Sequence, residues 1–309
     1  FEVFFYRSEY AHIRTLADYV IAHHYPELQE TANPYQALLK EVIRRTAKLI
    51  ARWQAVGFAH GVMNSDNMSI LGLTIDYGPF GFLEAYQPGY ICNHSDYEGR
   101  YAFDQQASIG LFNLSCLAQA LLPLFDDKPE QGAEWAQAAL GEYQPAFVKE
   151  YAALMRAKLG LRDALDEDQQ LLQGLLDLMK AGGTDYTILF RQLAEFKTGT
   201  EGSDHPARDL ILEREAFDQW AGQYAARLQK ENSDDHERRE RMNKANPKYI
   251  LRNYMAEIAI RKAEAERDYS EIDSLFRLLQ KPFDEQPEFE HYAGHPPDWA
   301  DSIAVSCSS

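Results

Sequence analysis

The sequence predicts a mainly α-helical fold interrupted by one small β-hairpin. Three observations carry this expectation. Apolar residues recur at helical spacing over most of the 309-residue chain, the signature of helices with one buried face. Between Gly57 and Phe82 that spacing is lost. The run Met68, Ile70, Leu71, Leu73 and Ile75, broken by Gly72, reads instead as a tight hairpin or two brief strands. Residues 83–104 are rich in Tyr, Gly, Pro, Asn and Asp and read as a long ordered loop, a feature that is usually functional inside a compact domain.

The elements follow in order. Residues 8–24 form the first expected helix, with Ser8 as its cap, Ile13, Leu16, Ala17, Val20 and Ile21 on its apolar face, and Pro26 closing it. Asn33-Pro34 opens the second, because Asn caps and Pro suits the first helical position. Its stripe is Leu38, Leu39, Val42, Ile43, Ala47, Ile50 and Ala51, and Gly57 ends it. A helix returns from Gln105 to Leu124, with Ile109, Leu111, Phe112, Leu114, Leu117, Ala118 and Leu121 as its buried face. Further helices are expected at 130–139, 143–159, 165–180, 186–195, 207–229 and 247–267. In the last, Asn246 caps, Pro247 takes the first position, and Ile250/Leu251, Tyr254/Met255 and Ile258/Ala259 recur every four residues. Residues 229–246 are charge-rich and read as a solvated helix or linker. From Lys281 the chain is Pro-rich and irregular.

Composition bounds the function. A hydrophobic content of 45% supports a real core. A formal net charge of −17 argues against a nucleic-acid binder, which carries a basic surface, and against an anionic membrane surface. No apolar run is expected to reach the roughly 20 residues of a membrane span, and no secretory signal is evident. A cytoplasmic protein is the expectation. The opening FEVFFYRSEY has no Met and is densely aromatic, so the chain is expected to be part of a longer one.

The chemistry concentrates in HGVMNSDNMSILGLTIDYGPFGF, residues 60–82. His60-Gly61 and Asp66-Asn67 precede the apolar hairpin, and Asp76-Tyr77-Gly78 follows it. This is the order of the catalytic half of a kinase-type phosphotransfer site, where one carboxylate accepts a proton and an Asn and a second Asp hold a cation. An oxygen-only set fits Mg²⁺ or Mn²⁺ rather than zinc. Val62 follows His60-Gly61 where small-molecule kinases often place an acid, so a base here is Asp66 in a shifted position or is absent. The plainer reading of each residue is that Asp66 caps a turn and Asp76 opens a Pro-Gly loop.

That stretch resembles the selenoprotein O family of kinase-fold proteins. FEVF, YAFDQQ, DYTILFRQL, NPKYILRNY, PPDWA and the terminal CSS match it in order along the chain. The resemblance implies transfer of AMP from ATP to hydroxyl side chains of proteins, with UMP transfer in some members and proteins of redox metabolism among the acceptors. It makes Asp66 the proton acceptor, Asn67 and Asp76 the metal ligands, and Asp76 a neighbour of the nucleotide phosphates. It divides the chain into a kinase-like C-terminal lobe (1–128), a helical extension (129–280) and a tail (281–309) bearing Cys307. The family's Gly-rich loop, Lys–Glu pair and phosphate-binding arginines have no match here. The N-terminal lobe of the same protein is therefore an expected partner, and this chain alone is expected to be inactive. Arg44 and Arg45 read as solvated or ion-paired.

Cys116 sits beside Phe112 and reads as packing. Cys92 lies in the long loop, and CSS matches the family's Cys version of a selenocysteine site, so a redox-active Cys92–Cys307 bond is an expectation. The same residues leave two rivals open: an ordinary phosphotransferase, and a catalytically silent docking module. Asp185-Tyr186-Thr187 and Arg252-Asn253 match the family text, and their chemistry assigns them no role.

Overall fold

In the computed structural model, which describes residues 1–199 and 205–306, helices dominate and paired strand is sparse. The chain forms two compact units, each built from several segments. The first comprises Phe1–Arg52, Val62–Gly78 and Asp104–Tyr151; the second comprises Trp53–Gly61, Pro79–Phe103 and the chain from Ala152 onward.

The first unit opens with a short helix α1 (Glu2–Tyr6) and α2 (Tyr10–His24). Ser8 does not cap α2. It has a φ of 56° and, with Glu9, returns its N–H to the end of α1, so it serves as that helix's left-handed stop. In α3 (Pro34–Val56) the expected cap is present, with Asn33 Oδ1 accepting from the Tyr35 and Gln36 amides at 3.1 Å. Then come α4 (Gln106–Leu121), α5 (Pro129–Leu140) and the start of α6 (Tyr143–Lys158). Ile13, Tyr25, Leu39, Ile43, Leu114, Leu121 and Tyr143 share one core, and Phe1, Phe4 and Phe5 pack against it.

The buried face of α4 differs from the expectation. Gln106, Gly110 and Asn113 are buried, whereas Phe112 is 50% exposed and Cys116 is half-buried. Gly110 explains the rotation: a Cβ there would stand 2.3 Å from Ile50 Cδ1, so the helix approaches α3 most closely along its glycine face. The stretch Phe103–Leu124 is also long and apolar enough to cross a membrane by length and composition, contrary to the sequence expectation. Leu114, Ala118 and Leu121 from this stretch belong to the core of the first unit.

The second unit holds the one regular strand pair among the described residues. β1 (Phe58–Ala59) runs antiparallel to β2 (Gly81–Phe82), with Phe58 opposite Phe82. The 83–102 stretch is loop as expected. The helices α7 (Asp168–Gly182), α8 (Tyr186–Gln192), α9 (Arg214–Lys230), α10 (Asp235–Ala245), α11 (Asn253–Glu266) and α12 (Ser270–Leu279) follow.

Two helix starts in this unit are later than expected. Residues 206–210 form a separate 3₁₀ turn before α9. α11 begins at Asn253 rather than Pro247, because Asn246 gives its amide to the Lys158 carbonyl and the Lys248 and Tyr249 amides go to Pro282 O. The charge-rich segment is a helix, as one reading had it, but not a wholly solvated one: Arg238 and Met242 on α10 are fully buried.

Candidate active site

The candidate residues Asp66, Asn67 and Asp76 all lie in the first unit. Ser65–Asn67 is a single 3₁₀ turn, after which Met68 pairs with Thr74 in an isolated antiparallel bridge. The expected hairpin therefore exists, reduced to one bridge around a tight turn. Asn67 stands one position outside the bridge on the incoming arm, and Asp66 and Asp76 stand two positions outside it on opposite arms. An antiparallel pairing brings such flanking positions toward one another.

The turn is held by side chains that the sequence did not advertise. Ser69 Oγ accepts from the Leu71 amide at 3.2 Å. The Tyr25 hydroxyl donates to Ile70 O at 2.5 Å, and burial pushes its phenol pKa up, so it remains a donor. Arg45 is ion-paired to Glu41, as expected, but its Nη1 also reaches Leu71 O at 3.4 Å and its guanidinium lies 4.5 Å from the centre of the Tyr25 ring. Gly72 has a φ of 69°, and a Cβ there would stand 2.8 Å from Arg45 Cβ, so glycine is required on two counts.

The two arms are set differently. On the incoming arm Asn67 Nδ2 donates to Val62 O at 3.1 Å, Asn113 Nδ2 donates to Met63 O at 2.9 Å, and the Ser65 hydroxyl donates to the Glu2 carboxylate. Asp66 is exposed. On the outgoing arm Asp76 is exposed and has a φ of 56°, with its carbonyl accepting from the Gly78 amide at 2.9 Å. A left-handed Asp is uncommon and costs of order 1–3 kcal/mol, the kind of strain that collects at functional positions. Leu73, Ile75 and Tyr77 are exposed, so the apolar run is not a buried strand in this unit.

Other motif residues lie in the second unit. His60 is buried beside the rings of Trp53 and Phe58, at 5.2 and 6.4 Å, which is the setting of a core histidine. Gly61 has a φ of 82°, and a Cβ would stand 2.6 Å from Cys92 Sγ. Cys92 is buried against Ala59 O, and burial pushes its thiol up to about 12, well away from a reactive thiolate. The pairing expected for Cys92 falls on Cys307, which lies outside the described residues. His94 N donates to Val305 O at 2.8 Å.

Two motifs without an assigned role prove to be one cluster. Arg252 Nη1 stands 2.9 Å from Asp185 Oδ2 and also contacts the Glu84 carboxylate. Asp185 caps α8 through Ile188 N at 2.9 Å. Burial pushes the Asp185 carboxyl up to about 7, opposed by the Ile188 and Thr187 amides, and pulls the Arg252 guanidinium down to about 10. Arg252 and Asp185 are buried and Glu84 is partly exposed, so the cluster ties α8 to the start of α11 within the unit.

A family model described as protein adenylyltransferase SelO matches residues 1–280. The protein nucleotidyltransferase YdiU of Thioalkalivibrio sulfidiphilus is 58% identical over the whole of this chain, which covers 62% of that relative. Proteins of the same description from Thiobacillus denitrificans and Herminiimonas arsenicoxydans are 55% and 53% identical over the whole chain, covering 62% and 61% of their lengths. The chain thus spans about three-fifths of the curated relatives it matches.

Proposed function

This chain belongs to the protein adenylyltransferase SelO family, and from that premise we propose that its first unit carries the catalytic and metal-binding loops of a protein nucleotidyltransferase with a kinase-like large lobe. The observation that carries the reading is the hairpin: one bridge, Met68 to Thr74, with Asp66-Asn67 on one arm and Asp76 on the other. The reaction is attack of a Ser, Thr or Tyr hydroxyl of an acceptor protein on the α-phosphorus of ATP. A phosphorus–oxygen bond forms to the acceptor, the bond to the β,γ-diphosphate breaks, and pyrophosphate leaves. Asp66, exposed on its turn, takes the hydroxyl proton.

The donor set suits a hard divalent cation. Asn67 commits its Nδ2 to Val62 O, which leaves Oδ1 as the ligand end of the amide. The exposed carboxylate of Asp76 supplies the charge, and its left-handed backbone sets the direction in which that carboxylate leaves the arm. Mg²⁺ or Mn²⁺ bound there would spread the charge that develops on the phosphates. The exposed Leu73, Ile75 and Tyr77 form an apolar edge on the same hairpin.

The test uses the full-length protein with ATP labelled at the α- or the γ-phosphate. Label from the α-position on the acceptor, lost in Asp66→Ala and Asp76→Ala, is the expected result. Label from the γ-position alone would replace this reading with an ordinary phosphotransferase. Competition by UTP decides between AMP and UMP transfer. Retention of all cellular effects in Asp76→Ala would favour the docking-module alternative.

A further inference from the structure

We infer that Asn113 is a positioning residue for the loop that bears Asp66, an inference that rests on the nucleotidyl-transfer reading above. Asn113 sits on the buried face of α4 and is 7% exposed. Its Nδ2 donates to Met63 O, three residues before Asp66, at 2.9 Å. Its neighbours on that face are Gly110, Leu114 and Ala118, so an apolar side chain would be the ordinary occupant.

The other end of the amide makes the case. Asn113 Oδ1 is buried and has no hydrogen-bond partner among the described residues. Turning the amide over would not help, because Oδ1 would then face the Met63 carbonyl, acceptor against acceptor. The amide therefore keeps its N–H end aimed at the loop, with no protein partner at its oxygen end among the described residues. An apolar side chain would need a partner at neither end, so the bond to Met63 O is what the asparagine adds at this position.

Asn113 ties this arm to the core helix α4. The Asn67 to Val62 bond closes within the loop and fixes it to nothing else. The Ser65 to Glu2 bond reaches a five-residue helix at the start of the chain that buries none of its residues. Tyr25 and Arg45 hold the far tip, at Ile70 and Leu71. Close packing does not fill the interval. A cavity of roughly 140 Å³ opens alongside, lined by Thr46 of α3, Ser65, Met68 and Ile70 of the loop and hairpin, and Asn113 and Leu117 of α4. A loop that borders a pocket makes fewer packing contacts on that side, so its polar anchors weigh more. Asn113 supplies such an anchor from a core helix.

The experiment measures steady-state transfer of α-phosphate label by the full-length protein. Asn113→Asp keeps the shape but removes the donor once the carboxyl ionises; Asn113→Leu removes it at every pH. The expected result is a kcat lower by about 10- to 100-fold at high pH in both variants, with the KM for ATP little changed. In Asn113→Asp the deficit should close as pH falls, because a protonated carboxyl donates to Met63 O again. Asn113→Leu should show no such recovery. A parent-like kcat in Asn113→Asp at every pH overturns the inference, and so does a loss that merely follows the fall in melting temperature in both variants. If Asn113→Leu does not fold, the pH profile of Asn113→Asp decides alone. Asp76→Ala is run in parallel. If it transfers label like the parent, the nucleotidyl-transfer reading fails and this inference falls with it. If it is inactive while Asn113→Asp is parent-like, only the inference about Asn113 fails.

Discussion

Replacing Lys158 by Met should stabilise the protein below neutral pH and leave its stability unchanged in strong alkali. Lys158 ends α6 in the second unit and is 3% exposed. Its ammonium faces the rings of Phe190 at 4.2 Å and Tyr186 at 5.1 Å, and among the described residues it makes no ion pair with a carboxylate. Burial pulls its pKa down from 10.5 to about 7. At about 1.4 kcal/mol for each pKa unit, that fall corresponds to about 5 kcal/mol of burial cost for the charged form. The two rings hold the cation side of the balance and keep the ammonium in place while it is charged.

The sign follows from proton counting. Below pH 7 both folded and unfolded chains hold the proton, and the penalty is fully present. Between about pH 7 and pH 10.5 the unfolded chain holds more protons, so stability rises with pH. Above 10.5 both are neutral and the penalty is gone. Isotope-labelled lysine NMR should therefore show one side chain titrating near pH 7, and Lys158→Met should erase it. Urea unfolding near pH 6 should give Lys158→Met an advantage of up to about 5 kcal/mol that shrinks toward pH 11. A Lys158 resonance that titrates with the surface lysines, or a variant less stable at pH 6, would refute the reasoning.

Two further expectations are read by unfolding and activity. Arg252→Met should cost about 3–5 kcal/mol in urea unfolding, because it leaves the Glu84 and Asp185 carboxylates without their cation. Adding Glu84→Gln and Asp185→Asn should recover most of that loss, since Asn also caps a helix. Gly72→Ala should cost about 1–2 kcal/mol for its left-handed backbone and more for the approach to Arg45 Cβ. In the full-length protein it should weaken activation by Mg²⁺ more than it weakens ATP binding, because the hairpin it disturbs carries Asn67 and Asp76.

Helices were legible where one side was greasy and the punctuation was local. Asn33-Pro34 announced α3 and the structure uses Asn33 as read. The signal failed where a tertiary partner took the capping group. Asn246-Pro247 reads as a helix start, yet Asn246 is spent on Lys158 O and the chain stays non-helical up to Arg252. It failed again at Gly110, where contact with Ile50 turns α4 and exposes Phe112. The order of Asp66, Asn67 and Asp76 was legible because those residues are neighbours in sequence. Their supports were not. Tyr25 lies just past the end of α2, Arg45 on α3 and Asn113 on α4, and no local pattern links them to residues 60–78. The one available hint was Asn113 itself, a polar residue in the apolar stretch GLFNLSCL.

Departures from the local rules are not scattered evenly in the first unit. A folded chain is most consistent where each residue suits its backbone and its surroundings, and departures persist where something else needs them. Asp76 takes a left-handed backbone where glycine would be easier. Asn113 buries an unmatched oxygen where leucine would pack. Leu73 and Ile75 are large and apolar and yet exposed. All four belong to the hairpin or to its anchor, and none of them helps the unit fold. The second unit departs from the rules as well, at Lys158, around Arg252 and at the left-handed Asn232 and Arg267. What sets the first unit apart is place: Asp76, Leu73 and Ile75 stand exposed on the one hairpin whose arms carry the residues proposed for nucleotidyl transfer, and Asn113 holds the arm that leads into it.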